Sequence, residues 1–237
     1  MRTSWREGVS MKRTIIPELL DSDAGTPSEI AASLSDLNRI NRWFGGMATT
    51  RSLVEQVSQE LEARSLSLLE VAAGAGAVPA EVAGALAQAG IAMEVTLLDR
   101  ASSHLRNGNR RAVAGDALAL PFSDGSFDLV SCSLFVHHLA PDDVVRFVNE
   151  GLRVCRAAVL INDLVRHPTH LGLVYAGMPL YRSRLTRHDA PASVRQAYTM
   201  NEMADMLGKS KAARVEIARH FLFRMGVIAW KNSPGKK

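Results

Sequence analysis

Short apolar runs alternate with longer amphipathic stretches along most of this chain, the pattern of buried strands separated by surface helices. Residues 68–71 read as a first strand, about 80–89 as a helix and 93–98 as a second strand. Residues 112–114 form a short third strand and 127–133 a fourth. The helix expected over 141–153 opens on Pro141 and precedes a fifth strand over 157–162, and a further helix spans 199–207. Residues 213–220 and 221–231 then read as two closing strands. Ahead of all this, Thr26-Pro27-Ser28-Glu29 has the cap, proline and early acid of a helix start, leading through 30–43 to a break at Gly45-Gly46. A second helix is expected at about 50–64. Strands alternating with helices predict an α/β chain with a parallel sheet covered on both faces, here carrying an antiparallel hairpin at its end.

The first strand runs directly into Ala72-Ala73-Gly74-Ala75-Gly76-Ala77-Val78-Pro79. Gly74 and Gly76 allow a tight turn and the close approach of a ligand, and Pro79 suits the first turn of a helix. A Rossmann-like sheet binds a nucleoside at such a strand, turn and helix start. The dinucleotide pattern asks for a small third residue where Pro79 stands, and Glu70 would repel a pyrophosphate but attract an ammonium. Asp99, at the end of the second strand and 23 residues beyond Gly76, offers two acceptors to a pair of ribose hydroxyls. Asp116 offers an acceptor to an exocyclic amine, with Ala117 and Leu118 flanking the ring, and Asp124-Gly125 turns the chain into the fourth strand.

With the block Gly115-Asp116-Ala117 to Val130, these residues resemble the class I S-adenosylmethionine-dependent methyltransferases. The likeness is to the small-molecule branch that includes the ubiquinone and menaquinone methylases, over roughly residues 60–230. It implies a seven-stranded methyltransferase sheet and S-adenosyl-L-methionine as cofactor. By resemblance Glu70 lies near the methionine ammonium, Gly74 and Gly76 cradle the methionine moiety, Asp99 holds the ribose and Asp116 meets adenine. Arg100, Ala117 and Ser131 complete the expected cofactor set. Ala72 replaces the first glycine of the family loop, and its methyl is expected to tune affinity without abolishing it.

Methyl transfer asks mainly for alignment and exclusion of water, but a phenolic nucleophile of pKa about 10 benefits from a base. His137 and His138 follow the fourth strand, at the carboxyl-end crevice where open α/β sheets bind ligands, and His137 is the first candidate for that base. Asp163 ends the fifth strand on the same edge and is placed to orient a histidine or a substrate hydroxyl. Residues 164–199 read as an Arg-rich insertion forming a substrate lid, with Tyr175, Arg187 and His188 joined by Trp43 and Phe44. A weaker resemblance, to bacterial methyltransferases of aromatic or polyketide secondary metabolism, rests on segments 15–21, 41–46 and 187–191. The domain plan is therefore a tail and helical cap over 1–60 and a methyltransferase domain over 61–237.

Composition narrows the partners. The 237 residues are 47% hydrophobic, enough for a sizeable core, and hold no run of the roughly 20 apolar residues needed to span a bilayer. The chain reads as cytoplasmic. Net charge is +4, yet the basic residues are scattered and no aromatic-flanked basic block argues for nucleic acid. Cys132 and Cys155 have no metal-type spacing and read as reduced core thiols, so no metal is expected. The first ten residues and the Lys231–Lys237 run look like frayed ends, with Met11 an alternative start. A small-molecule acceptor is the expected partner, and a homodimer is left open. O-methylation of a phenolic or polyketide-like hydroxyl is the favoured activity. C-methylation of a quinol-like ring, RNA methylation and a non-catalytic cofactor-binding module are its rivals. Retention of three acids argues against the last of these.

Overall fold

The computed structural model describes residues 11–22, 24–100, 105 and 111–232. The expectations for residues 1–10 and for the end of the basic tail lie outside them. Seven strands form one sheet: β1 (Ser65–Val71), β2 (Ala92–Asp99), β3 (Arg111–Ala114), β4 (Phe127–Ser133), β5 (Cys155–Leu164), β6 (Arg214–His220) and β7 (Arg224–Trp230). Their order is β3-β2-β1-β4-β5-β7-β6, with β7 antiparallel to both neighbours and the other pairings parallel. The helices are α1 (Pro27–Trp43), α2 (Gly46–Glu60), α3 (Ala77–Gln88), α4 (Pro141–Val154), α5 (Pro168–Ala176), α6 (Arg184–Gln196) and α7 (Met200–Leu207).

Local chemistry accounts for several of these boundaries. Thr26 and Glu29 make a reciprocal capping box at the start of α1, and Thr199 and Glu202 make another at α7. Helix α4 begins with Pro141 and the acids Asp142 and Asp143 and ends near Arg153, so its charges oppose the helix dipole. Side chains alternate across β1. Leu69 and Val71 enter the core beneath α4 and α7 with Val130, Phe147 and Met203. Leu68 joins Leu53, Val57, Val82 and Leu160 beneath α2 and α3. Strand β7, buried at all seven positions, reads as a continuous apolar run because both faces are covered.

The parallel order reverses between β1 and β4, and a crevice opens there above the carboxyl ends. Two expectations differ from the fold. The stretch 164–199, expected as an Arg-rich lid insertion of unspecified structure, is mostly helical: α5 and α6 occupy most of it, and a β-bridge joins Val165 to Tyr198 at its two ends. Helix α2 starts at Gly46, four residues before the expected Thr50, because Gly45 itself takes the cap position. No described helix is long and apolar enough to cross a membrane.

Candidate active site

The crevice at the strand ends is a cleft of about 930 Å³, and the acids at the ends of β1 and β2 and after β3 share its wall. Glu70, Asp99 and Asp116 are thus brought together, with Ala72, Gly74, Arg100 and Ala117 beside them. Gly76 and Ser131 stand behind the wall: Gly76 is the left-handed cap of α3, at φ 67°, and Ser131 is buried next to Glu70. Gly74 also takes a positive φ of 51°, and the space a side chain would fill there is open. Ala72 takes φ 53°, a conformation that costs a residue with a Cβ roughly 1–2 kcal/mol. The alanine in place of the family glycine therefore carries backbone strain on the cleft wall itself.

Each acid is held differently. Glu70 is 2% exposed, and its Oε2 has no hydrogen-bond partner. Burial pushes its carboxyl up to about 7, with the hydroxyls of Ser131 and Ser133 pulling partly the other way. Asp99 accepts the Gly74 backbone N–H through Oδ2 at 2.8 Å, which locks the glycine turn to the end of β2. Asp116 accepts the Leu118 N–H through Oδ1 at 2.9 Å, an Asx turn that leaves the residue exposed to the cleft.

At the other end of the cleft, a 3-10 turn after β4 presents the two histidines in opposite settings. His137 is 2% exposed and does not reach the cleft wall; its Nδ1 lies 2.6 Å from Asp163 Oδ1, and its backbone N–H donates to Asp163 Oδ2. Burial alone would lower its pKa, but the Asp163 carboxylate and then Glu18 outweigh burial and raise it. Asp163 is lowered in turn, its burial overcome by His137. The two form a buried ion pair. His138 is the ring on the wall, with Nδ1 3.0 Å from Asp21 Oδ2. The first candidate for the base is thereby corrected: the two rings are stacked, but His137 is the one shut in beside Asp163, and only His138 lines the cleft.

The methyltransferase-domain family matches residues 69–161. A demethylmenaquinone methyltransferase of Beutenbergia cavernae is 38% identical over 94 residues, which make up 38% of this chain and 36% of that protein. The alignment thus spans about a third of the curated relative's length. The solved plantazolicin methyltransferase BpumL, in complex with a triazolic analog and SAH, superposes with a TM-score of 0.66 at 12% identity, covering 91% of this chain and 95% of its own. Magnesium protoporphyrin IX methyltransferase from Synechocystis PCC 6803, with bound SAH, gives a TM-score of 0.51 at 16% identity, covering 79% and 84%. Residues 69–161 thus match a methyltransferase domain, and the fold around them is that of solved methyltransferases.

S-adenosylmethionine fits the residues present in the cleft. The orphaned Glu70 oxygen is an acceptor that an ammonium would satisfy, Gly74 leaves open room beside the turn, and Asp99 and Asp116 stand along the same wall. Below about pH 7 the Glu70 carboxyl of the free protein is neutral and offers no charge to an ammonium. Affinity for S-adenosylhomocysteine is therefore expected to fall on the order of tenfold per unit as pH drops from 7 to 5, and Glu70→Gln to flatten the profile. Calorimetric titration checks this, and a flat wild-type profile would remove the ammonium contact. Folding has the opposite sign. The folded pKa lies above the usual 4.5, so the stabilising contribution is full below that value and lost as pH rises through about 7.

The methyltransferase's roof departs most from expectation. Trp43, Phe44, Tyr175, Arg187 and His188 are all exposed and none lines the cleft. Arg187 bonds the Tyr181 carbonyl, Arg195 the Tyr175 hydroxyl, and His188 the adjacent Asp189. They brace α5 and α6, which support the roof from behind. The roof itself is α1, through Leu34, Leu37, Asn38 and Asn41, and the arm preceding it, through Leu20 and Asp21. That arm is pinned along its length. Arg13 donates to the carbonyls of His137, Leu139 and Gln196 and stacks on Tyr198, while Asp189 accepts the N–H groups of Leu19 and Leu20. Glu18 and Asp21 are the site residues that sequence reasoning passed over. Segment 15–21 carried a family likeness, but nothing in its spacing marks an acid that folds back onto a distant histidine.

Proposed function

We propose that this methyltransferase moves a methyl group from S-adenosylmethionine to a hydroxyl of a small, flat, aromatic or polyketide-like acceptor. The observation that carries this reading is the make-up of the histidine end of the cleft, where Leu20, Leu34, Leu37, Phe135 and Leu139 surround the single imidazole of His138. Largely apolar walls with a few polar groups, His138 and Asp21 foremost, suit a ring bearing a hydroxyl. When bound, the cofactor supplies a methyl already made electrophilic by a sulfonium. Glu70, Asp99 and Asp116 hold and orient it, and the arm and α1 exclude water. His138 takes the hydroxyl proton, and the Asp21 carboxylate at its Nδ1 fixes the ring and favours the imidazolium that forms. Relatives named for demethylmenaquinone, magnesium protoporphyrin IX and plantazolicin are consistent with a small acceptor.

The demethylmenaquinone relative also favours a second reading, C-methylation of a quinol-like ring. Incubating the full chain with S-adenosylmethionine and a panel of phenols and quinols, followed by mass spectrometry and proton NMR of the products, separates the two. A methyl ether is expected. A ring-methylated product would transfer the assignment to the quinol reading, and no S-adenosylhomocysteine from any acceptor, in a protein that binds it, would overturn both.

A further inference from the structure

Both histidines carry a carboxylate at Nδ1 and turn Nε2 toward the same third carboxylate. His137 Nδ1 meets Asp163 at 2.6 Å and His138 Nδ1 meets Asp21 at 3.0 Å, while the two Nε2 atoms lie 3.6 and 4.0 Å from Oε1 and Oε2 of Glu18. The rings lie nearly over one another, with centroids 4.1 Å apart and planes tilted by 35°. One ligand atom from each of Glu18, His137 and His138 falls within 4.8 Å of the other two.

We propose that Glu18, His137 and His138 form a binding site for a divalent transition-metal ion of the zinc class, at the roof of the cleft. Two imidazole nitrogens and one carboxylate oxygen are a donor set of borderline softness, which suits that ion. Around a tetrahedral ion with bonds of about 2.0–2.1 Å, ligand atoms stand roughly 3.3–3.5 Å apart, so three groups already within 4.8 Å of one another close onto an ion by side-chain movement. Metal-bound histidines characteristically donate the other ring N–H to a carboxylate, and here Asp163 and Asp21 supply one each. Glu18 is oriented too: its Oε1 accepts from Ser193 Oγ at 2.6 Å and from Gln196 Nε2 at 2.7 Å. A single divalent ion takes up both Nε2 atoms at once, in place of the second proton that makes His137 a cation in the metal-free protein, and leaves no like-charged rings in contact.

Three protein ligands leave a fourth position, and His138, 22% exposed, is the ligand of the three that lines the cleft. The consequence for catalysis rests on the reading proposed above: in the metal-free protein His138 is the base of that reading, whereas with the ion bound an acceptor hydroxyl at the fourth position would lose its proton to solvent more readily and His138 would serve as a ligand. Binding of the ion does not depend on that reading.

The test is titration of the full chain, stripped with a chelator and dialysed, with Co²⁺ followed by visible absorption. One equivalent is expected to bind with the bands of a four- or five-coordinate ion, and Zn²⁺ to displace it. His138→Ala, at a partly exposed position that the fold tolerates, is expected to abolish the bands and the Zn²⁺-dependent rise in unfolding temperature. Asp163→Asn is expected to weaken affinity by about 10–100-fold. Absence of Co²⁺ binding, or binding untouched by both His138→Ala and Glu18→Gln, overturns the site whatever the methylation assay returns. Specific binding upholds it even if no phenol in the panel is methylated.

Discussion

Replacement of His138 by alanine is expected to lower turnover by about 10²–10⁴-fold, the usual worth of a positioned proton acceptor, while leaving affinity for S-adenosylhomocysteine unchanged. The separation follows from the layout of the cleft. His138 belongs to the apolar acceptor end, and the groups expected to hold the cofactor come from β1, β2 and the turn after β3. The contacts that fix those acids come from their own end of the cleft: Asp99 is tied to Gly74, Asp116 to Leu118, and Glu70 sits beside Ser131 and Ser133. The ring is partly exposed, so its removal leaves no buried charge unpaired. Steady-state kinetics with the best acceptor, paired with calorimetry, gives both numbers. Full turnover in this variant would eliminate the residue from the reaction.

The neighbouring substitution is expected to behave in the reverse manner. His137→Ala removes one partner of an ion pair in which both side chains are 2% exposed, leaving the Asp163 carboxylate in the interior without its cation. Breaking such a pair from one side costs about 3–5 kcal/mol of folding stability. Arg224, fully buried on β7, acts on Asp163 electrostatically but is bonded to Asn41, so it is not poised to replace the lost ring. Urea unfolding measures the loss, and His137→Ala/Asp163→Asn together should cost less than the sum of the single changes. A loss below about 1 kcal/mol would mean that the pair contributes little beyond what water supplies.

These two adjacent positions mark where sequence reading succeeds and where it stops. The strands, their carboxyl-end crevice and the three acids were legible because each depends on local signals: an apolar run, a glycine turn, an acid at a fixed place after a strand. The terminal hairpin was legible for the same reason. Which of two consecutive histidines turns inward was not, because that depends on a 3-10 turn and on Asp163 arriving from β5. The roof was illegible for a similar reason. Arg187 and Tyr175 have the chemistry of a lid, but α6 packs its buried face against α1 and leaves them outside. Glu18 and Asp21 sit in an arm whose only regular piece among the described residues is the single 3-10 turn Leu20–Ser22, and its course is set by Arg13 and Asp189 rather than by periodicity.

That arm divides the protein's labour along its sequence. The stretch matched to the methyltransferase family, 69–161, holds Glu70, Asp99 and Asp116, whereas much of the acceptor wall comes from residues before α2. On the reading proposed above, donor and acceptor groups therefore lie on separate lengths of chain. The arm before α1 is fastened by a few long side chains and not woven into the sheet. A common chemistry at the sheet edge is thereby compatible with a wide change of clientele at the roof.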